Sequence, residues 1–384
     1  MKVLFTLDTL ANGGTEKSTL DIIRHFSKDT DARVVTFYPG DDLRQEYVQA
    51  GIPLIDLHLT GKRSFTTGIR KLISLIRQEK PDLVVSSILR ANLISRLACY
   101  LTKTPLIGTF VNDSYGEIRV REFKDKGQYG RFRFFWLLDR WTSGIPRYWI
   151  SNAASIARSN AKALHLRKKN ITVIYRGRDT SQFPVWTPPT GSTFRFVFIG
   201  RLLQRKGLAE MLEAYQLVQS VHPDVHLDIY GNGLFRKKME EMIVQLGIAD
   251  KVTLHGTVPG GWKKIYGGHC FLFPSWYEGF SGSLVEAMIA GIPIIASDIP
   301  MNREAVDSST ALIFPMKDKA ALAACMEKMI LEYPSMAEMG KRARQVATGR
   351  YEIRTIAGQY ESFLHKVVGQ SVKESDLLSA TNDA

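Results

Sequence analysis

Short apolar runs alternate with longer amphipathic stretches along most of the chain, and this alternation constrains the fold more than any other feature. The strand-like runs of the first half lie at 2–7, 32–37, 82–86, 105–111 and 171–174. Those of the second half lie at 194–199, 224–230, 252–255, 269–274, 293–297 and 310–314. The helical patterns fall at 15–28, 66–79, 91–103, 154–165, 207–221, 233–246, 284–290 and 318–332, and helix follows from 334 to about 368. Such alternation predicts an α/β fold with doubly wound parallel sheets.

The length and one polar segment predict two domains. A chain of 384 residues exceeds the roughly 100–200 residues of one domain. A segment rich in Pro, Gly, Ser and Thr at 183–192 is typical of a linker. We therefore predict an N-terminal domain at 1–186 and a C-terminal domain at 187–350. Residues 351–384 are predicted to form a helix that packs back on the first domain, followed by a polar tail.

Composition excludes several classes of protein. Hydrophobic residues make up 45% and charged residues 23%, which is typical of a globular chain. No apolar run reaches the ~18 residues that a membrane-spanning helix needs. The start at 1–5 enters a strand directly and lacks the apolar core of a signal peptide. Because Cys99, Cys270 and Cys325 show neither metal nor disulfide spacing, we expect a cytoplasmic protein.

The excess positive charge lies entirely in the first half. The net charge is +13. Residues 1–186 hold 30 basic and 17 acidic residues, whereas residues 187–384 hold 21 of each. This asymmetry predicts that the first half faces an anionic partner.

A basic and aromatic stretch at 119–149 contributes to that excess. Basic side chains interleaved with aromatic ones suit an anionic membrane surface. A core helix with a solvated charged face explains the same pattern. Nucleic acid is a third interpretation, but no recognisable nucleic-acid module is present, so no specific nucleic-acid partner is expected.

A glycine pair follows the first predicted strand. Gly13 and Gly14 open the first predicted helix, where the backbone can approach a ligand and the helix N-terminus favours an anion. An ordinary turn capped by Thr15 is the alternative. The segment is not a P-loop, because Glu16 stands where that motif requires glycine before Lys17.

Two cations follow the first strand of the second half. The strand runs into Gly200, and Arg201 and Lys206 precede the next helix. Together they can hold a diphosphate, one by a forked contact and one as a point charge. Two solvated surface charges are the alternative. A further turn at 231–233 resembles a dinucleotide fingerprint only weakly.

Two carboxylates eight residues apart form the most specific motif. Glu278 is predicted in a loop at a strand end, and Glu286 in a helix that begins near Ser283. The amides of 282–285 would then be able to receive a phosphate, while the carboxylates accept from hydroxyls. A capping box between Ser283 and Glu286 is the alternative for the second carboxylate. The eight histidines are scattered and show no metal spacing, so no metal is expected.

Read in order, these motifs resemble the glycosyltransferases of family 4, which have the GT-B fold. The match covers about 1–368. Glu278 and Glu286 look like the family's E-x7-E motif, and 13–16 looks like its G-G-x-E motif. The run 174–179 is similar to the family's V-I-x-N-G-V-D, with Arg176 and Arg178 as departures. The resemblance implies two Rossmann-like domains facing a cleft, and retaining transfer from a nucleotide sugar without a required metal or other cofactor.

The resemblance also implies a role for each motif residue of the donor site. Arg201 and Lys206, after Gly200, would neutralise the diphosphate leaving group. Glu286 would bind the ribose hydroxyls, and Glu278 would bind sugar hydroxyls. The backbone would supply the remaining contacts: to the sugar from Phe280, Ser281 and Gly282, to phosphate from Ser283 and Leu284, and to the diphosphate from Gly13 and Gly14 of the opposite domain.

One position departs from the family. Many members carry a histidine after the strand that corresponds to 106–111, near the reacting face of the sugar. Here Asn112 stands at that place, followed by Asp113. Asparagine can donate and accept hydrogen bonds but cannot transfer a proton. Asn112 is therefore expected to position a substrate, with Asp113 as a conceivable base.

The predicted function combines the resemblance with the charge. A hexose would pass from a nucleotide diphosphate, with uridine as the family's commonest base, to a lipid-linked or glycan acceptor. The enzyme would be cytoplasmic and peripheral on the inner face of the membrane, in bacterial cell-surface polysaccharide, lipopolysaccharide or glycolipid synthesis. The alternatives are a nucleotide-sugar epimerase of the GT-B fold and a non-catalytic basic binding module.

Overall fold

Two parallel sheets organise the chain, each covered by helices. A computed structural model describes residues 1–61 and 64–382, with side chains described up to residue 370. The chain divides into two units, one of Met1–Gly177 together with the segment from Ile353 onward, and one of Arg178–Glu352. The α/β fold class with two Rossmann-like parallel-sheet domains is thereby confirmed.

The first unit contains a seven-stranded sheet with the order β3-β2-β1-β4-β5-β6-β7, all parallel. Its strands are β1 (Lys2–Leu7), β2 (Asp31–Thr36), β3 (Leu54–Asp56), β4 (Leu83–Ser86), β5 (Leu106–Phe110), β6 (Tyr148–Ser151) and β7 (Ile171–Val173). Its helices are α1 (Gly14–Ile23), α2 (Arg44–Gln49), α3 (Ser64–Glu79), α4 (Leu89–Thr102), α5 (Glu117–Asp125), α6 (Tyr129–Thr142) and α7 (Ala154–Leu164), with α14 (Ile353–Asn382) at the C-terminus.

The second unit contains a six-stranded parallel sheet with the order β10-β9-β8-β11-β12-β13. Its strands are β8 (Phe194–Ile199), β9 (Val225–Tyr230), β10 (Val252–Gly256), β11 (Cys270–Phe273), β12 (Ile294–Ser297) and β13 (Leu312–Phe314). Its helices are α8 (Leu208–Val221), α9 (Arg236–Gln245), α10 (Gly282–Ala290), α11 (Pro300–Ala305), α12 (Lys319–Leu331) and α13 (Tyr333–Arg350).

The burial of the central strands explains why their apolar runs could be recognised in the sequence. All four residues of β11 and of β12 are buried, as expected for central parallel strands that are covered on both faces. The two strands that the sequence did not predict are β3, whose three residues are only half-buried, and β6. β6 contains the last two residues of the basic and aromatic stretch at 119–149, and its Trp149 is fully buried and stacked on Phe110, 4.2 Å between ring centroids. The stretch at 119–149 therefore combines exposed helical residues with a residue of the buried core.

The end of the chain forms two helices rather than the single predicted helical run. α13 and α14 are separated by Tyr351 and Glu352, and Tyr351 is fully buried. In α14, the Glu361 carboxylate accepts from the Thr30 hydroxyl at 2.5 Å and from the Ser27 hydroxyl at 2.7 Å. These hydrogen bonds tie α14 to the loop before β2 within the first unit.

Candidate active site

A buried ion pair lies where two strands of the second unit end. Lys206 closes a short turn after β8, and Glu278 lies in the loop between β11 and α10. The Lys206 ammonium donates to a Glu278 carboxylate oxygen at 2.5 Å, and the two residues are only 8% and 7% exposed. The structure thus brings together two residues that the sequence assigned to separate partners, the diphosphate and the sugar.

Burial and neighbouring charges set the ionisation of this pair. Burial alone would raise the pKa of Glu278, but the charges of Lys206 and Arg205 outweigh it and hold the pKa below its usual value. Burial lowers the pKa of Lys206, and the Glu278 carboxylate opposes that shift. The nearby charge of Arg201 also lowers the pKa of Lys206, although the Arg201 side chain is exposed. An anion that reaches Lys206 therefore meets several positive charges.

A glycine allows the two loops to approach. Gly207 has a φ of +68°, and a Cβ atom built there would lie 2.1 Å from the carbonyl oxygen of Pro274. A side chain at this position would be excluded both by the backbone conformation and by contact. The loops are also joined by a hydrogen bond from the Trp276 amide to the Arg205 carbonyl at 2.8 Å. The backbone therefore fixes Lys206 next to the loop of Glu278.

The start of α10 offers free backbone donors in the same loop. α10 begins at Gly282 with Ser281 as its N-cap. The Val285 amide donates to the Ser281 carbonyl at 3.3 Å, so the amides of Gly282, Ser283 and Leu284 precede the intrahelical hydrogen bonds. Such an N-terminus favours an anion. Phe280, just before it, is buried with its ring 5.3 Å from that of Tyr351.

Glu286 makes an ion pair rather than a helix cap. Ser283 lies inside the first turn of α10, not at its N-cap, so the capping box that could explain Glu286 is absent. The Glu286 carboxylate instead accepts from Arg178 Nε at 2.8 Å, and both side chains are largely buried. Arg178 is one of the two departures from the family's motif, and no pattern in the sequence links it to Glu286, which lies 108 positions further along the chain. Its guanidinium orients one oxygen of the Glu286 carboxylate.

The weak glycine motif at 231–233 is structural. Gly231 has a φ of +135°, and a Cβ atom there would lie 1.9 Å from the Gly200 carbonyl oxygen. The Leu202 amide donates to the Asn232 carbonyl at 2.9 Å. Gly231 thus lets the loop after β9 pack against Gly200, and it supports the loop that carries Arg201.

The remaining predicted residues lie in the first unit, at the carboxyl ends of its strands. α1 begins at Gly14 with Gly13 at its N-cap, so Thr15 is not the cap. A Cβ atom on Gly13 would lie 2.1 Å from a carboxylate oxygen of Glu16, at the flexible end of that side chain, so this contact alone does not require glycine. Asn112 is exposed after β5, and the Asp113 carboxylate accepts from the Ser159 hydroxyl at 2.6 Å. Ser159 thus holds the carboxylate that the sequence proposed as a base.

Metal ions in proteins are held mainly by His, Cys, Asp and Glu side chains. Within residues 1–61 and 64–370, no group of three or more His, Cys, Asp or Glu side chains is arranged to hold a metal ion.

Family models match both halves of the chain. The model described as Glycosyltransferase Family 4 matches residues 12–182. The model described as Glycosyl transferases group 1 matches residues 186–346. Together the two models span most of the chain, and α14 lies outside both matches.

Curated relatives carry the same designation. An uncharacterised glycosyltransferase of Methanocaldococcus jannaschii is 23% identical over 74% of this chain and 73% of its own length. The capsular polysaccharide biosynthesis glycosyltransferase CapM of Staphylococcus aureus is 21% identical over 78% of this chain and 81% of its own. The lipopolysaccharide core biosynthesis mannosyltransferase LpsB of Rhizobium meliloti is 26% identical over 55% of this chain and 66% of its own.

A solved structure has the same fold. Anabaena HepE in complex with UDP-glucose superposes with a TM-score of 0.82, at 20% identity, over 95% of this chain and 100% of that one. The predicted family is confirmed by these matches, which cover both units and recur in relatives of similar length. The chain belongs to the glycosyltransferases of the GT-B fold, with a family 4 domain followed by a group 1 domain.

Proposed function

We propose that this glycosyltransferase takes a hexose from a UDP-sugar, with retention of anomeric configuration and without a metal, and transfers it to a lipid-linked or membrane-associated acceptor. The single observation that carries the donor part is the buried Lys206–Glu278 pair beside the N-terminus of α10. Retention follows from the family resemblance. The UDP-glucose complex of HepE supports a uridine nucleotide as the carrier.

In this proposal, the Lys206–Glu278 pair and the N-terminus of α10 contact different parts of the donor. As the glycosidic bond breaks, negative charge develops on the departing phosphate oxygen, and Lys206, Arg201 and the amides of Ser283 and Leu284 stabilise it. The second carboxylate oxygen of Glu278 accepts hydrogen bonds from sugar hydroxyls. The backbone amides and carbonyls of 280–282 donate to and accept from the same sugar. Glu286, with one oxygen held by Arg178, uses the other to accept from ribose. Because cations of the protein neutralise the leaving group, no metal is needed in this scheme.

The proposed biological setting is the synthesis of bacterial cell-surface polysaccharide or glycolipid. LpsB acts in lipopolysaccharide core biosynthesis and CapM in capsular polysaccharide biosynthesis, as their names state. These two names describe related proteins. The acceptor of this chain is inferred from them as part of the proposal. No helix within the described ranges combines the length and apolar character needed to cross a bilayer. The proposal places the protein at the surface of the cytoplasmic membrane.

One face of α6 supports that association. Phe134, Leu137 and Trp141 are 63%, 48% and 88% exposed. On an α-helix they lie within about 60° of one another, with exposed arginines on either side of them. The opposite face packs inward, where Trp136 Nε1 donates to the Ala163 carbonyl at 3.2 Å. The exposed set, here called the α6 face, comprises Arg131, Arg133, Phe134, Leu137, Arg140 and Trp141.

A transfer assay tests the enzymatic proposal. Purified protein, a bacterial lipid extract and a panel of UDP-sugars are expected to release UDP and to yield a glycolipid that keeps the donor's anomeric configuration by NMR. Activity is expected to persist in EDTA. An epimerase would change the sugar without releasing UDP, and a binding module would do neither. Either result, or an inverted product, would contradict the proposal.

Sedimentation with liposomes tests the membrane proposal. Replacing Arg131, Arg133 and Arg140 by Gln is expected to weaken binding to anionic vesicles about 100-fold, because each such charge contributes about 1 kcal/mol near the surface. The matched control replaces three other exposed cations of the first unit, Arg24, Lys28 and Arg77, by Gln and is expected to change binding much less. If wild-type protein stayed in the supernatant at low salt, the proposed membrane association would be wrong.

A further inference from the structure

The first sheet has a topological switch point, and the residues directly after its two strands lie outside the family motifs. From β1 the sheet grows through β2 and β3 on one side, and through β4 to β7 on the other. In open parallel sheets, ligands bind beyond the carboxyl ends of the two strands at which this direction reverses. Here those strands are β1 and β4. The residues that follow them are Asp8 and the segment 87–90.

An arginine and an aspartate span this point. Asp8 is 6% exposed, and one of its carboxylate oxygens accepts from the Ala91 amide at 2.9 Å. The other accepts from Arg90 Nε at 3.0 Å. The Arg90 guanidinium also lies over the Tyr38 ring, 4.3 Å from its centroid. The guanidinium is therefore fixed from two sides, by a buried carboxylate after β1 and by an aromatic ring after β2.

The outer edge of that guanidinium faces solvent. The Arg90 side chain is 56% exposed, although the side chain of its partner Asp8 is only 9% exposed. Asp8 engages Nε, and within 1–61 and 64–370 neither terminal nitrogen of Arg90 makes a hydrogen bond. Two parallel N–H groups on a fixed guanidinium match the two oxygens of a phosphate or a carboxylate.

The backbone beside Arg90 is strained. Ile88, the N-cap of α4, has φ 73° and ψ 149°, a conformation that is essentially restricted to glycine. Such a conformation is unfavourable for a β-branched residue, whose Cβ is crowded by the backbone. The conformation is held by hydrogen bonds on both sides: the Asn92 amide donates to the Ile88 carbonyl at 2.8 Å, and the Ser86 hydroxyl donates to the Asn92 side chain at 2.6 Å. Strain of this kind concentrates at ligand sites, and nothing in the donor chemistry of the second unit requires it.

We propose that Arg90 binds an anionic oxygen group of the acceptor, a phosphate or a carboxylate, at the switch point of the first sheet. The proposal rests on the function proposed above, in which the first unit receives the acceptor, and it names the chemistry of that acceptor. The net positive charge of the first half attracts such a group. Asp8 and Tyr38 hold the guanidinium in place, so the Arg90 side chain loses little conformational entropy when it binds the anion.

Calorimetry on the full-length protein, with the donor site first saturated by UDP, tests the site. The probes are phenyl phosphate, benzoate and the neutral benzyl alcohol, of which the first two distinguish phosphate from carboxylate. Wild-type protein is expected to bind at least one anion and not the alcohol. Arg90→Gln is expected to weaken that binding at least tenfold, in line with the loss of a charge-assisted contact, and Arg90→Lys is expected to weaken it less. Arg77→Gln, a change at another exposed arginine of the same unit, is expected to have no effect.

The outcomes separate this site from the donor site. The titration with UDP itself is expected to be the same in wild type and Arg90→Gln. Anion binding that is lost in Arg90→Gln supports the site even if UDP fails to bind, a result that would overturn only the donor proposal. Wild-type protein that binds neither anion would overturn the inference, as would unchanged binding in Arg90→Gln.

Discussion

Replacing Lys206 by Ala is expected to lower kcat/KM for the donor by about 30-fold to 1,000-fold. This corresponds to about 2–4 kcal/mol of lost transition-state stabilisation, the range for removing one preorganised group that faces developing charge. The same change leaves the buried Glu278 carboxylate without its cation, since their 2.5 Å contact is removed. Breaking a buried pair from one side costs about 3–5 kcal/mol. The variant is therefore expected to be both slower and less stable.

A double variant separates those two effects. Lys206→Met combined with Glu278→Gln removes both charges from the site, so no unpaired charge stays buried. We expect its thermal midpoint to lie near that of the wild type, while its donor turnover stays as low as that of Lys206→Ala. The control is Lys237→Ala, at an exposed lysine of the same unit, which is expected to keep full activity and stability. A double variant with wild-type turnover would show that neither charge acts in the reaction.

Replacing Gly207 by Ala is expected to destabilise the second unit strongly and to abolish measurable UDP binding. The added Cβ atom would meet the Pro274 carbonyl oxygen at 2.1 Å, and neither backbone segment can withdraw without moving the turn that carries Lys206. Thermal unfolding followed by fluorescence measures the stability, and calorimetry with UDP measures the binding.

A second glycine separates the steric effect from the backbone effect. Gly247 has nearly the same φ, +66° against +68°, but no atom lies within 4 Å of its added Cβ. Gly247→Ala should therefore cost only the strain of the left-handed conformation, about 1 kcal/mol, and leave UDP binding intact. If the two variants behaved alike, the close approach of the two loops would not support the site.

Several of the predicted strands are buried throughout or nearly so, whereas β7, β10 and β13 were predicted although they are only partly buried. β1, β4, β11 and β12 are apolar runs because parallel strands with helices on both faces have no solvated side, and such runs stand out in the sequence. β3 was not predicted, although it has the same length and burial as β7, which was. β6 escaped prediction because its aromatic residues continue a stretch whose helical part, α6, is amphipathic.

The composition of the candidate site was predictable, but its pairing was not. The residue types after β8 and β11 pointed to anion and hydroxyl binding, since strand ends and glycines are visible in a sequence. Lys206 and Glu278 lie 72 positions apart, and only the meeting of two loops at Gly207 makes them partners. A capping box between Ser283 and Glu286 was consistent with the local sequence. However, α10 begins at Gly282 with Ser281 as its N-cap, and Arg178 pairs with the Glu286 carboxylate instead.

The most direct test of the donor site is a crystal structure of the protein with a UDP-sugar. The account predicts that oxygens of the diphosphate lie within hydrogen-bond distance of Lys206 Nζ and of the amides of Ser283 and Leu284, with a sugar hydroxyl on Glu278. A structure in which the diphosphate binds elsewhere, while Lys206 contacts only Glu278, would contradict it.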